Sequence, residues 1–236
     1  MPRRPRRLQW TEESCYHLMN RGHNRETIFR DDLDRHAFLS LLRRYRQRYG
    51  FRVFHYCLMS NHVHLVIGPR QVDGMATALK LTHGRYAGYW NAKHRSSGHV
   101  WQGRYYSCPL DRPHLWEALR YTELNPVRSG LVAEPESWTW SSAAIHCGTA
   151  VTNRLLSMEP WRERWDVSSW KNYLLAGETE SEILSMRQST HTGRPLGTEE
   201  FVRDMEKATE RTLAPQKGGR PSKAIDERQS EFGFDP

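Results

Sequence analysis

The stretch from Phe51 to Gly68 constrains the fold more than any other part of the chain. Two strand-like runs, Phe51–Leu58 and His62–Gly68, flank Met59-Ser60-Asn61 and read as a hairpin. Just before it, Leu33, Ala37, Phe38, Leu41, Leu42 and Tyr45 recur at helical spacing. A helix is therefore predicted from about Asp32 to Tyr49, capped by Asp31 or Asp32 and closed by Gly50. A shorter strand is predicted at Tyr16–Asn20, ending where Arg21-Gly22 makes a turn cheap. After the hairpin, Met75, Leu79, Thr82, Tyr86 and Trp90 form one stripe of a second helix, about Met75 to Asn91. Val100–Leu110 reads as a fourth strand. A third helix starts at Pro113 and runs to Asn125, where Pro126 stops it. The order β-α-β-β-α-β-α predicts an α+β chain, a ferredoxin-like split βαβ antiparallel sheet with helices on one face. The other face is left for a substrate. Such an arrangement hosts many functions and names none.

These elements occupy residues 14–132. Residues 1–13 read as a basic N-terminal tail. Trp138, Trp140, Trp161, Trp165 and Trp170 mark 133–176 as a Trp-rich, mainly helical extension. Residues 177–236 read as a polar C-terminal tail with one helix, about Thr198 to Thr212, behind Gly193-Arg194-Pro195-Leu196-Gly197. The end, with Gly218-Gly219-Arg220-Pro221, has the composition of a disordered segment.

A formal net charge of +8, with nine Trp and ten Tyr, points to a polyanion with stackable bases. Cys15, Cys57, Cys108 and Cys147 are scattered without a CxxC pair, which predicts buried thiols in a reducing compartment. No apolar run is long enough for a bilayer, and Met1–Arg7 lacks the apolar stretch of a signal peptide. The expected location is the cytoplasm, with no membrane contact.

Two short motifs can carry chemistry. In Asn61-His62-Val63-His64-Leu65-Val66 the strand period puts His62 and His64 on one face and sends Val63, Leu65 and Ile67 to the helical core. Two imidazoles at that spacing can chelate a divalent cation, or can simply be exposed on an amphipathic strand. A zinc site using Cys57 or His55 matches no standard spacing. In Tyr121-Thr122-Glu123-Leu124-Asn125-Pro126, helical geometry gathers Glu117, Tyr121 and Asn125 on one face, away from the apolar stripe of Leu115, Ala118 and Leu119. Together the motifs make a mechanism. A cation held by two imidazoles and an amide oxygen can polarise a phosphodiester, and a phenol beside it can attack phosphorus.

At these residues the chain resembles the HUH single-tyrosine transposases, and within them the REP-associated tyrosine transposase branch of the insertion-sequence transposases. The resemblance runs over about 14–132 on four segments. They are Tyr16-His17-Leu18-Met19-Asn20-Arg21-Gly22, Met59-Ser60-Asn61-His62-Val63-His64-Leu65, Gly98-His99-Val100-Trp101-Gln102-Gly103-Arg104-Tyr105 and Tyr121-Thr122-Glu123-Leu124-Asn125-Pro126-Val127-Arg128. It implies that Tyr121 forms a 5′-phosphotyrosine and that His62 and His64 bind Mg²⁺ or Mn²⁺. The third ligand of insertion-sequence relatives is Gln, where this chain has the shorter Asn125. It also implies single-stranded or hairpin DNA as substrate and a monomer or homodimer as the working form. By their chemistry, Arg21, Arg25, Arg85, Lys93, Arg95, Arg104 and Arg128 are candidates for phosphate contacts, and Trp101, Tyr105 and Tyr106 for base stacking. Two rival readings remain at this level. One is a domesticated hairpin-DNA-binding protein without transposition activity; the other is a phosphodiesterase using water as nucleophile.

Overall fold

The computed structural model describes residues 15–70 and 72–213. The basic segment 1–13 and the segment with Gly218-Gly219-Arg220-Pro221 lie outside the described residues. Four strands, β1 (Cys15–Arg21), β2 (Arg52–Leu58), β3 (His62–Gly68) and β4 (Tyr106–Leu110), form one antiparallel sheet in the order β2-β3-β1-β4. Helices α1 (Asp32–Tyr49) and α2 (Val72–His94) occupy the intervals of a split βαβ arrangement, so the α+β expectation holds.

α1 begins and ends where its sequence says. Asp31 accepts from the Asp34 amide at 3.0 Å, a cap of about 1 kcal/mol. Gly50 closes the helix at φ 63°, a left-handed conformation that suits glycine. Strand alternation divides the side chains cleanly. Leu18, Val63, Leu65 and Ile67, each at most 2 % exposed, join Phe38, Leu42 and Tyr86 of α1 and α2 in the main core. His17, Met19, His55, Cys57, His62 and His64 take the opposite face, as the register pairs Met19 with His64 and His64 with Cys57.

That second face is not left open, as the sequence suggested. It is partly roofed by α3 (Arg112–Glu123) and by α8 (Glu180–Thr192), which packs on β4 and β1. The run from Val100 to Leu110 is also shorter as a strand. Gly103, at φ 152°, breaks it, and only Tyr106–Leu110 pairs with β1, while Trp101 makes an isolated bridge to Gly22. The third helix does not reach Asn125. α3 ends at Glu123, and a separate turn, α4 (Asn125–Arg128), carries Pro126 in its first positions. There the missing N–H costs nothing and the fixed φ suits a new turn.

Beyond residue 133 lie α5 (Ala143–His146), α6 (Glu159–Arg164) and α7 (Val167–Leu175), with Trp170 in ring contact with both Trp161 and Trp165. The described part of the segment from residue 177 holds two helices, not one: α8, then α9 (Glu199–Thr209). α8 starts with a reciprocal cap between Thr179 and Glu182, a local signal that the polar composition masked.

Both outer edges of the sheet are occupied by the C-terminal half. Along β2, Leu58 donates to the Trp140 carbonyl, Ser142 to that of Tyr56 and Ser157 to that of Val53. Along β4, Leu196 bridges Leu110 in parallel fashion, and its amide donates to the Pro109 carbonyl. Among the described residues no helix is long and apolar enough to cross a membrane.

Candidate active site

The sheet face opposite the main core carries a cleft of about 660 Å³ between β1, β3, α3, α4 and α8. Strand period brings His62 and His64 to it. Their rings meet edge to face at 5.0 Å, and His64 is 5 % exposed. The Tyr121 ring stands edge-on to His64 at 6.0 Å and to His17 at 5.8 Å. Asn125 reaches the same cleft from α4, with its amide nitrogen 3.1 Å from His62 Nε2. The break after Glu123 thus leaves Asn125 beside His62 although Tyr121 and Asn125 belong to different helices. Glu117, placed with them by helical spacing, does not line the cleft.

The hydrogen bonds assign roles to the ring nitrogens. His62 Nδ1 lies 2.7 Å from Asn61 Oδ1, an acceptor, so Nδ1 carries the proton and Nε2 keeps a lone pair toward Asn125. His64 Nδ1 lies 2.9 Å from His17 Nε2, and the two rings stack with planes 4° apart. Burial pushes the titration of these imidazoles down. His17 falls to about 3, with help from His55, and His62 to about 4, with help from Arg21. His64 is lowered as well, by burial first and then by His62, His17, Arg128 and His55. Near neutral pH all three are uncharged, the form that binds a metal. A half-turn of the Asn125 amide would present its oxygen instead of its nitrogen. The donor set therefore fits a divalent cation: two imidazole nitrogens and an amide oxygen on one cleft.

The cation candidates scatter. Arg21 lines the cleft. Arg128 does not face outward: it pairs with Glu178, its Nη2 donates to the Tyr121 carbonyl at 2.6 Å, and its guanidinium lies 4.3 Å from the centre of the Tyr121 ring. Lys93 is bonded to Asp31 and Asp34 at 2.6 to 2.8 Å. Arg25, Arg85 and Arg95 are exposed and outside this cleft. Arg104, Trp101 and Tyr105 line a different cavity of about 680 Å³ beside α2, with Lys80 and His83. Trp101 and Tyr105 are each 8 % exposed, so neither is an open stacking platform. Tyr106 stacks on His191 of α8. That cavity is marginally the larger, but volume does not choose between them. The phenol with two adjacent neutral imidazoles does.

A second group, His55, Glu123 and His146, is wholly buried, and its donor atoms lie within 4.8 Å of one another, so it could hold a metal ion. His55 thus gains metal-capable partners across the fold, while the Cys57 thiol is pushed up by burial, away from the thiolate a metal needs. The Glu123 carboxylate is already matched. One oxygen accepts from His146 and lies 3.3 Å from His55, and the other accepts from Trp170 Nε1 at 2.9 Å. These bonds tie the end of α3 to β2, α5 and α7, and so fix the helix that carries Tyr121. Sequence spacing missed His17, although a histidine set among Cys15, Tyr16, Leu18 and Met19 in a strand was a signal. It missed Thr190 and Arg187 of α8, which also line the cleft and stand in a segment with no apolar period.

Residues 11–125 match the family model described as Transposase IS200 like. A solved structure of a REP-associated tyrosine transposase bound to a REP hairpin matches with a TM-score of 0.54 at 12 % identity, over 71 % of this chain and 92 % of that chain. At that identity the match speaks for the fold. A candidate transposase from Deinococcus radiodurans R1 aligns over 52 % of this chain and 96 % of that chain at 18 % identity, with a TM-score of 0.36 that carries no weight. No match was found among curated protein sequences.

Proposed function

Residues 11–125 match the IS200-like transposase family, and from that premise we propose that the chain cuts and rejoins single-stranded DNA with Tyr121 as nucleophile. One observation carries the reading: the Tyr121 ring stands 6.0 Å from His64, in the cleft where His62 and Asn125 also meet. The phenol oxygen attacks phosphorus and gives up its proton. The bond to the 3′ oxygen breaks, and that oxygen leaves as a hydroxyl, while the 5′ phosphate stays on Tyr121. Because the phosphodiester energy is kept in the phosphotyrosine, a 3′ hydroxyl of another strand can reverse the step and complete transfer.

Mg²⁺ or Mn²⁺ held by His62, His64 and Asn125 would supply positive charge to the phosphate oxygens. This chain's residues do the rest. Burial keeps His62 and His64 neutral, Asn61 orients His62, and the Arg128 guanidinium packs against the Tyr121 ring. Hairpin DNA is the proposed substrate, in line with what the fold neighbour was solved with.

The test is incubation of single-stranded hairpin oligonucleotides with Mg²⁺ or Mn²⁺. The expected result is a protein–DNA adduct that resists denaturing gels, a free 3′ hydroxyl on the released strand, and loss of both in Tyr121→Phe. Binding with no cleavage in any sequence context would favour a hairpin-binding protein. Cleavage that persists in Tyr121→Phe without an adduct would favour water as nucleophile.

A further inference from the structure

One wall of the histidine cleft is α8, a helix outside the family-matched residues 11–125. Thr190 Oγ1 of α8 lies 2.8 Å from His17 Nδ1, and His17 Nε2 lies 2.9 Å from His64 Nδ1. All three side chains are at most 5 % exposed. We propose that Thr190 and His17 are positioning residues, forming a relay that sets which nitrogen of His64 carries the proton. The inference rests on the reading that His64 is a metal ligand.

The hydrogen-bond arithmetic gives the relay two directions. In one, His64 Nδ1–H donates to His17 Nε2, and His17 Nδ1–H donates to the Thr190 hydroxyl. His64 Nε2 then keeps its lone pair. In the other, the hydroxyl donates to His17 Nδ1, His17 Nε2–H donates to His64 Nδ1, and the His64 proton sits on Nε2, where it blocks a cation. Only a group that can both accept and donate supports both states, and a threonine hydroxyl is such a group. Without it, the first direction leaves the His17 Nδ1–H buried and unpaired, whereas the second leaves only a lone pair unpaired, the less costly of the two, so the chain settles in the second, blocked state. Thr190 is thus what makes the metal-binding tautomer of His64 accessible.

The position of Thr190 is itself secured from the tyrosine side. Arg120 of α3 pairs with Glu182 of α8 at 2.7 Å, and Arg128 of α4 pairs with Glu178 just before α8. The elements that carry Tyr121 and Asn125 therefore also hold the helix that orients His64.

Histidine ¹⁵N spectra and Mn²⁺ titration of the full chain test this, comparing wild type with Thr190→Val, Thr190→Ala and Thr190→Ser. His64 is expected to carry its proton on Nδ1 in a measurable fraction of metal-free wild type, and wholly so once Mg²⁺ is bound. In metal-free Thr190→Val and Thr190→Ala the proton should move to Nε2, with Mn²⁺ bound about 10- to 100-fold more weakly. Thr190→Ser should restore both. A purely structural role would not move the tautomer, nor be rescued by a hydroxyl alone. Unchanged His64 tautomer and Mn²⁺ affinity in Thr190→Val and Thr190→Ala would overturn the relay. A wild type that binds no Mn²⁺ would instead sink the metal reading, and the metal-free tautomers of the variants would still decide the relay.

Discussion

At the scale of single residues, Arg128 shows how a charge can be assigned the wrong partner. As a basic residue after a tyrosine helix it reads as a phosphate contact, yet its guanidinium is shared between Glu178 and the face of the Tyr121 ring. Glu178 is 50 residues away in sequence, so no local pattern could reveal the pair. A guanidinium stacks flat on an aromatic face, whereas an ammonium does not. Arg128→Lys is therefore expected to slow adduct formation by about tenfold, from a lost contact of roughly 1–2 kcal/mol, with hairpin affinity unchanged. Single-turnover adduct assays beside fluorescence anisotropy separate the two. The proposed ligand pair was legible for the opposite reason: two residues apart in a strand is a local relation, and the sheet preserves it.

At the scale of elements, the second face of the sheet is built from neutral imidazoles. His17 and His55 are each at most 1 % exposed, and burial lowers both. For His17 the ordinary value of 6.5 falls to about 3. Between those values the unfolded chain binds the proton and the folded chain does not. The stabilising difference is therefore whole above pH 6.5 and is lost as pH falls toward 3. Over the first 1.5 units, to pH 5, a histidine buried in this way withdraws about 2 kcal/mol. Urea midpoints are expected to drop steadily from pH 6.5 to 5, and His17→Gln should flatten part of that slope; a flat profile in wild type would contradict it. Glu123 adds a second, lower window. Burial alone would raise its carboxyl, but His146 and His55 hold it down, from 4.5 to about 2, so its contribution fades across that range. Among the elements, α1 was legible because cap, stripe and stop lie within the helix itself. The break between α3 and α4 was not, since a proline can equally end one helix or begin the next.

At the scale of the whole molecule, the segment after residue 176 is the part that composition misjudged. It buries Met186 and Met205, pairs Leu196 with Leu110, and gives Glu178, Glu182 and Thr190 to the site. Its polar sequence conceals this because only one or two residues per turn face inward. Ending the chain at Ala176 is expected to lower the thermal midpoint by roughly 5 °C or more, since Met186 alone stands for about 2 kcal/mol of burial. An unchanged midpoint by scanning calorimetry would make the segment a passenger. The same segment, with residues 140–157, has a consequence for how copies of this chain can meet. Strand-to-strand association needs a rail of free amides and carbonyls, and at β2 and β4 the molecule's own chain already occupies those rails. Two copies cannot splice their sheets into one without first unzipping part of themselves, so any partnership between them has to be struck elsewhere on the surface.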